Sequence, residues 1–131
     1  MTPEKPDAAW KAELSAAEYN VLRCHGTEPP FSHPLNLEKR DGVYVCAGCG
    51  AALFDAQAKF DSGTGWPSFF DALPGSLTET ADHSHGMTRI EYRCAACGGH
   101  QGHVFPDGPR PTGLRYCNNG TALRFVPKEA P

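Results

Sequence analysis

Long apolar runs are missing from this chain, and neither sign of charge is in strong excess. No stretch of the 131 residues approaches the apolar length that a membrane-spanning helix requires. The N-terminal segment M-T-P-E-K-P-D-A-A-W holds no apolar core of the kind found in secretion signals. The formal net charge of −3 supplies no basic surface for nucleic acid or anionic lipid. We therefore expect a cytoplasmic protein that binds neither membranes nor nucleic acids.

Glycine and proline are abundant instead, with 14 and 12 residues, and they indicate many turns and short elements. At this length we expect a single domain over 1–131, monomeric, with a disordered lead over 1–6. Only 40% of the residues are apolar, so a covalent or metal staple would help to stabilise the modest core.

The N-terminal part of the chain carries a helix-start signal. Ser15 as N-cap and Glu18 three residues later form a capping box. We predict a helix over 16–23 and an earlier helical turn around 7–11. The segment 24–41 contains a Pro-Pro pair that excludes helix there, and it is predicted to be a loop.

From residue 42 onward the sequence alternates in the manner of β-strands. Between Thr88 and Cys94, charged residues occupy one face and mostly apolar or β-branched residues the other. Turn signals at 106–109 and 118–120 separate the last predicted strands. The other strands are predicted over 43–45, 52–54, 101–105, 114–117 and 121–126. This pattern predicts a mainly β, antiparallel domain with a short helical N-terminal lead.

Four of the six cysteines form two C-x2-C pairs, Cys46 with Cys49 and Cys94 with Cys97. Two such turns can surround one metal ion with four thiolates, and a closed site of this kind is structural rather than catalytic. We therefore predict one structural zinc ion. Two disulfides, or cysteines buried as small apolar groups, remain the alternatives.

The two remaining cysteines are Cys24 and Cys117. On a regular strand, Arg115, Cys117 and Asn119 point to the same face. A cation beside a thiol favours the thiolate, which is the reactive form. An inert buried thiol is the competing interpretation.

Two histidines lie on the preceding predicted strand. His103 and Phe105 share one face of that strand, and His100 lies near its start. If the two strands are neighbours, a thiol, two imidazoles and a guanidinium converge. An imidazole could then pass a proton to whatever the thiolate attacks.

The motifs G-T-E-P-P-F, S-G-T-G-W-P-S-F, G-M-T-R-I-E, G-H-Q-G-H-V-F and R-Y-C-N-N, together with the paired C-x2-C, occur in one order. This set resembles the methionine-R-sulfoxide reductases of the B type, from about Trp10 to Val126. The resemblance implies two small antiparallel sheets, a β-tent, stapled by a zinc site remote from the chemistry.

By the same resemblance, Cys117 is the nucleophile and Trp66 forms the wall that receives the S-methyl group. His100, His103 and Asn119 would polarise and protonate the sulfoxide oxygen, with His103 as the main acid. The remaining pocket residues would be an aromatic wall and a polar frame: Phe105, Asp107 and Arg115. Taken singly, Trp66 could be core, Arg115 could pair with Glu91, and Asp107 could be a turn former.

The implied activity is the thiol-dependent reduction of methionine (R)-sulfoxide in oxidised proteins, through a sulfenic acid on Cys117. Many members carry a resolving cysteine where this chain has Thr64. Thioredoxin or another thiol would then reduce Cys117 directly, or Cys24 would resolve it through a disulfide. Gln101 also departs from the usual leucine, and in a regular strand it would share the face of His103. The alternative function is an inactive zinc-stapled binding module of the same fold.

Overall fold

The computed structural model describes residues 7–24, 26–83, 86 and 88–128, so the predicted lead over 1–6 lies outside the described residues. Helix α1 spans Asp7–Glu13 and helix α2 spans Ala16–Cys24. The capping box is present, since the Ser15 amide donates to Glu18 Oε1 at 2.9 Å and the Glu18 amide donates to Ser15 Oγ at 3.1 Å. Within the described ranges, no helix is long and apolar enough to cross a membrane.

Within the described residues, nine strands form two antiparallel sheets, as predicted for a mainly β fold. The strands are β1 (Gly42–Cys46), β2 (Ala52–Asp55), β3 (Lys59–Phe60), β4 (Ser68–Phe69), β5 (Leu77–Asp82), β6 (Arg89–Cys94), β7 (His100–Phe105), β8 (Arg115–Asn118) and β9 (Leu123–Pro127). The small sheet has the order β2-β1-β9 and the large sheet the order β3-β4-β8-β7-β6-β5.

Aromatic side chains from both sheets form the core between them. Phe54 of the small sheet stacks on Phe69 of the large sheet with ring centroids 4.1 Å apart, and it meets Tyr116 edge-on at 5.9 Å. Tyr44 and Phe69 are likewise in edge contact at 5.0 Å. Because aromatic rings bury large areas and prefer these geometries, the cluster fixes how the sheets pack.

Strand β7 contains a β-bulge at Gln101. Tyr92 pairs with Gly102 and Arg93 pairs with His100, so Gln101 is one extra residue in β7. In a regular strand His100 and His103 would point to opposite faces, but one inserted residue restores them to the same face. Their ring centroids lie 5.7 Å apart. The same insertion turns the Gln101 side chain into the interior, so the prediction that it shares the face of His103 is wrong.

The end of the chain differs from the predicted hairpin. Residues 120–122 form a 3-10 helix rather than the start of a strand, and β9 pairs with β1 of the small sheet. The turn predicted at 118–120 is therefore a crossing between sheets. A residue far away in the sequence stabilises this crossing: the Glu28 carboxylate accepts the amide N–H groups of Gly120 and Thr121.

Three strands were not predicted. The largest, β5, is mostly exposed at the edge of its sheet, so its sequence L-T-E-T-A-D lacks an apolar alternation. Strands β3 and β4 have two residues each and lie beside or within a glycine-rich loop. In the segment 26–41, predicted as loop, one short 3-10 helix spans Pro34–Leu37.

Candidate active site and metal centre

The four paired cysteines converge on one point. Their Sγ atoms all lie within 4.8 Å of one another, with Cys46 and Cys97 at 3.7 Å and Cys49 and Cys94 at 3.6 Å. A tetrahedral zinc ion with Zn–S bonds of about 2.3 Å requires sulfur atoms about 3.8 Å apart. A disulfide would need about 2 Å. The donor set is therefore positioned to bind a single zinc ion, which would supply structural cross-linking.

The two cysteine turns have the same construction. Gly50 donates its amide N–H to the Cys46 carbonyl, and Gly98 donates to the Cys94 carbonyl, each at 2.8 Å. Both glycines have a left-handed backbone, with φ of 79° and 76°, which side chains rarely adopt. Since one turn follows β1 and the other follows β6, the site joins the small sheet to the large one.

Gln101 connects this metal centre to the strand that carries Cys117. Its Nε2 donates to Cys46 Sγ at 3.4 Å, and its Oε1 accepts from Asn118 Nδ2 at 3.1 Å. The hydroxyl of Tyr92 donates to Asn118 Oδ1 at 2.8 Å. Gln101 and Asn118 are completely buried, so this polar network lies in the core, where its hydrogen bonds are protected from water.

Cys117 lies in the middle of the large sheet. It pairs with His103 on β7 and with Ser68 on β4. Its pocket has a volume of about 100 Å³. The described residues that line this pocket come from five parts of the chain: Thr27, Trp66, Arg89, Gly102, His103, Phe105, Cys117, Asn118 and Asn119.

Burial has a larger effect on the pKa of Cys117 than the polar groups around it. Burial raises the pKa of the Cys117 thiol above its ordinary value, while Thr64, Arg115 and Ser68 act to lower it. The hydroxyl Oγ1 of Thr64 lies 3.9 Å from Sγ. The predicted effect of Arg115 is thus present, but it does not outweigh desolvation in the resting protein.

His100 and His103 each have a carboxylate partner. His103 reaches the pocket, and its Nε2 lies 2.7 Å from Asp82 Oδ2. His100 is buried, and its Nδ1 lies 2.6 Å from Glu91 Oε2. Both carboxylates can orient an imidazole through these contacts.

Arg115 is held by Asp107 rather than by Glu91. Its Nε and Nη2 donate to Oδ1 and Oδ2 of Asp107 at 2.8 and 3.1 Å, and its guanidinium lies 4.3 Å from the centre of the Phe105 ring. This pairing lowers the pKa of the Asp107 carboxyl below its ordinary value. The charge of the guanidinium favours the Cys117 thiolate and so acts to lower the pKa of that thiol, and Asp107 therefore acts on the site through Arg115.

Glu28 organises the opposite wall of the pocket. Its carbonyl oxygen accepts the indole N–H of Trp66 at 2.9 Å, and its amide N–H donates to Asn119 Oδ1 at 3.0 Å. Its carboxylate accepts from Gly120 at 2.9 Å and from both the amide and the hydroxyl of Thr121 at 2.7 Å. A single buried residue therefore holds the apolar wall and the Asn119 amide together.

The Asn119 amide is anchored at both ends. Its Nδ2 also donates one hydrogen to the Gln101 backbone carbonyl at 3.0 Å. The contacts with Glu28 and Gln101 fix the orientation of the amide, and with it the direction of its second N–H. Asn119 lies one residue beyond β8, so the shared face predicted for Arg115, Cys117 and Asn119 holds only for the first two. Asn119 reaches the pocket through the turn that Glu28 caps.

Three acidic residues of this site were missed in the sequence: Glu28, Asp82 and Glu91. Glu28 stands in the motif G-T-E-P-P-F, where an acidic residue among turn formers was the available signal. Glu91 was considered only as a member of a charged strand face and as a partner of Arg115, and Asp82 lies on a strand that was not predicted. Their roles depend on contacts with residues distant in sequence.

Cys24 is exposed at the last residue of α2. Thr27, three residues later, lines the pocket of Cys117. Three residues of extended chain span at most about 11 Å, which is the upper limit for the distance between the Cα atoms of Cys24 and Thr27. The sequence alone placed it only at a helix exit.

Replacing Gln101 by leucine, a side chain of similar size, should loosen the metal centre, because Cys46 loses its N–H donor. We expect zinc release to a chromogenic chelator to become roughly tenfold faster, the scale typical of lost hydrogen bonds behind metal ligands. Gln57→Leu, at an exposed position, serves as the matched control. Equal release rates in Gln101→Leu and the unmodified protein would contradict the connection.

The pH dependence of Cys117 alkylation should reflect its raised pKa. In a zinc-loaded Cys24→Ser protein, we expect the iodoacetamide rate to reach half its maximum above pH 9.0, the ordinary thiol value. Arg115→Gln should move the midpoint further up, since a charge that favours the thiolate is removed. Mass spectrometry of the Cys117 peptide against pH measures both. A midpoint below the ordinary value is the opposing result.

Comparison with known proteins adds a family match over residues 14–127, to the SelR domain. A peptide methionine sulfoxide reductase MsrB of Bradyrhizobium diazoefficiens is 56% identical, over 95% of this chain and 90% of that protein. The protein of the same name in Agrobacterium fabrum is 54% identical, over 94% and 92%. That of Pseudomonas paraeruginosa is 53% identical, over 96% of each chain.

Proposed function

The chain belongs to the SelR-domain family of peptide methionine sulfoxide reductases, and we propose that it reduces methionine (R)-sulfoxide in oxidised proteins with Cys117 as the nucleophile. The observation that carries this assignment is the position of Cys117, which shares one pocket with Trp66, Phe105 and His103. The aromatic side chains suit an S-methyl group, and the polar side chains suit a sulfoxide oxygen. An inactive binding module would have no chemical use for this set.

In the first step the Cys117 thiolate attacks the sulfur of the sulfoxide while the sulfoxide oxygen takes up a proton. The S–O bond of methionine sulfoxide then breaks, the oxygen passes to the Cys117 sulfur, and methionine leaves. The net change is RS–H plus O=SR₂ giving RS–OH plus SR₂. Methionine sulfur is reduced by two electrons, and Cys117 is oxidised by two electrons to the sulfenic acid. Loss of the thiol proton is required, and the raised pKa means that binding must assist it.

His103 supplies the proton to the departing oxygen. Its Nε2 is engaged by Asp82 at 2.7 Å, and a carboxylate there stabilises the imidazolium that must exist before the transfer. Asn119 offers an N–H to the same oxygen. His100, which is buried behind its bond to Glu91, supports the orientation of His103. Arg115 stabilises the thiolate, and Asp107 keeps the guanidinium in place.

The catalytic thiol is regenerated by an outside dithiol of the thioredoxin type. Thr64 stands beside Cys117 Sγ at 3.9 Å, where a cysteine would be a resolving residue but a hydroxyl cannot form a disulfide. We propose that Cys24 attacks the sulfenic acid instead, forming a Cys24–Cys117 disulfide and one water molecule, which the dithiol then reduces. The working unit is a monomer in a reducing, cytoplasmic compartment, which keeps the metal thiolates reduced.

The main test is a single-turnover assay with separated R and S epimers of a methionine sulfoxide peptide. We expect oxygen transfer from the R epimer only, and none with Cys117→Ser, because the nucleophile is then absent. The Cys117→Ser protein should keep its zinc and its melting temperature. Equal rates for the two epimers, or turnover by Cys117→Ser, would refute the proposal.

A second experiment addresses Cys24. One equivalent of substrate without reductant should consume two thiols in the unmodified protein and yield a Cys24–Cys117 peptide on disulfide mapping. In Cys24→Ser it should consume one and leave a dimedone-reactive sulfenic acid. The positive control is Cys24→Ser combined with Thr64→Cys, where the new sulfur stands beside Cys117. If the unmodified protein shows no Cys24–Cys117 bond, direct reduction by the external thiol is the route.

A further inference from the structure

Phe31 has two energetically unfavourable features. Its side chain is 70% exposed, and its backbone has φ of 62°, a left-handed conformation that a bulky residue rarely adopts. Strained residues persist where the surrounding structure holds them, and they concentrate at ligand-binding sites. An exposed and strained aromatic side chain therefore directs attention to what it could contact.

Phe31 lies at the rim of the Cys117 pocket. Its amide N–H donates to the carbonyl of Gly65 at 2.6 Å, and Gly65 directly precedes the pocket wall Trp66. A side chain at position 65 would come within 2.7 Å of Pro30 and 2.8 Å of Phe31. Only glycine permits this close approach of the two segments.

The rim segment is rigidly anchored although it has little regular structure. Glu28 ties the segment to Trp66, Asn119 and the 3-10 helix at 120–122, and its side chain is only 7% exposed. Thr27, on the other side of Glu28, lines the pocket itself. The exposed ring of Phe31 is therefore presented in a fixed place, which reduces the entropy lost on binding.

The size of the pocket determines which part of a substrate must lie outside it. Its volume is about 100 Å³, whereas pockets that enclose whole small ligands measure roughly 300–1,000 Å³. It can take the end of a methionine sulfoxide side chain but not the residues on either side. Those residues must pass over the rim, where Phe31 is exposed.

We propose that Phe31 is a docking residue for the polypeptide that carries the oxidised methionine, and that it packs against an apolar side chain flanking it. The proposal rests on the function assigned above. It predicts a preference for methionine sulfoxide in apolar, unfolded stretches of protein. The contact acts on substrate binding and leaves the chemistry at Cys117 unchanged.

The test compares Phe31→Gly with the unmodified protein on three substrates. These are a peptide with leucines beside methionine (R)-sulfoxide, the same peptide with serines there, and N-acetyl-methionine (R)-sulfoxide. We expect the KM for the leucine peptide to rise roughly three- to tenfold, the range for losing a partly buried apolar contact. The kcat, and the KM for the other two substrates, should stay unchanged. Because glycine accepts the backbone of residue 31, Tm should be unchanged or higher.

Leu37→Gly is the matched control, since Leu37 is 75% exposed on the same segment. This substitution should leave every KM unchanged. An unchanged KM for the leucine peptide in Phe31→Gly, an equal rise for all three substrates, or an equal effect of Leu37→Gly would each overturn the docking role. Failure of the unmodified protein to reduce any substrate would instead overturn the proposed function.

Discussion

One extra residue in strand β7 of the large sheet determines the positions of side chains at both the metal centre and the reactive face. The bulge at Gln101 places His100 and His103 on the same face of β7. It also turns the Gln101 amide inward, to Cys46 of the metal centre and to Asn118 beside Cys117. Its backbone carbonyl holds Asn119. Bulges commonly re-aim side chains near active sites, and here one bulge serves both the metal centre and the reactive face.

A second organising feature is the segment from the end of α2 to residue 31, in which three tasks follow one another along the chain. Cys24 is the proposed resolving thiol, Glu28 fixes Trp66 and Asn119, and Phe31 faces the proposed path of the peptide. Because Glu28 is held by its contacts with Asn119 and Trp66, the proposed approach of Cys24 to Cys117 would leave Glu28 in place. The proposed recycling and substrate binding would then share a short stretch of backbone, which includes the pocket residue Thr27.

The resting site is arranged for reaction rather than permanently activated. Burial keeps the pKa of Cys117 above its ordinary value despite Arg115 and Thr64, which disfavours the thiolate, the reactive form of the side chain. Carboxylates behind both histidines provide charge that can stabilise imidazolium during proton transfer. In the proposed reaction, activation depends on the bound sulfoxide, whose oxygen would complete the set of polar contacts.

The sequence by itself determined the strand-rich architecture, the capped helix and the four metal ligands, because each depends on local spacing or on residue chemistry. It proposed Cys117 as the nucleophile only through the resemblance of its motifs to those of the family. Only the tertiary structure decided that Gln101 faces the metal centre, that Asp82 and Glu91 support the histidines, and that Glu28 holds Trp66 and Asn119. The physical reason is that these contacts join residues far apart in the chain. A one-residue bulge reverses the faces of a strand, and no local pattern shows whether the insertion is present.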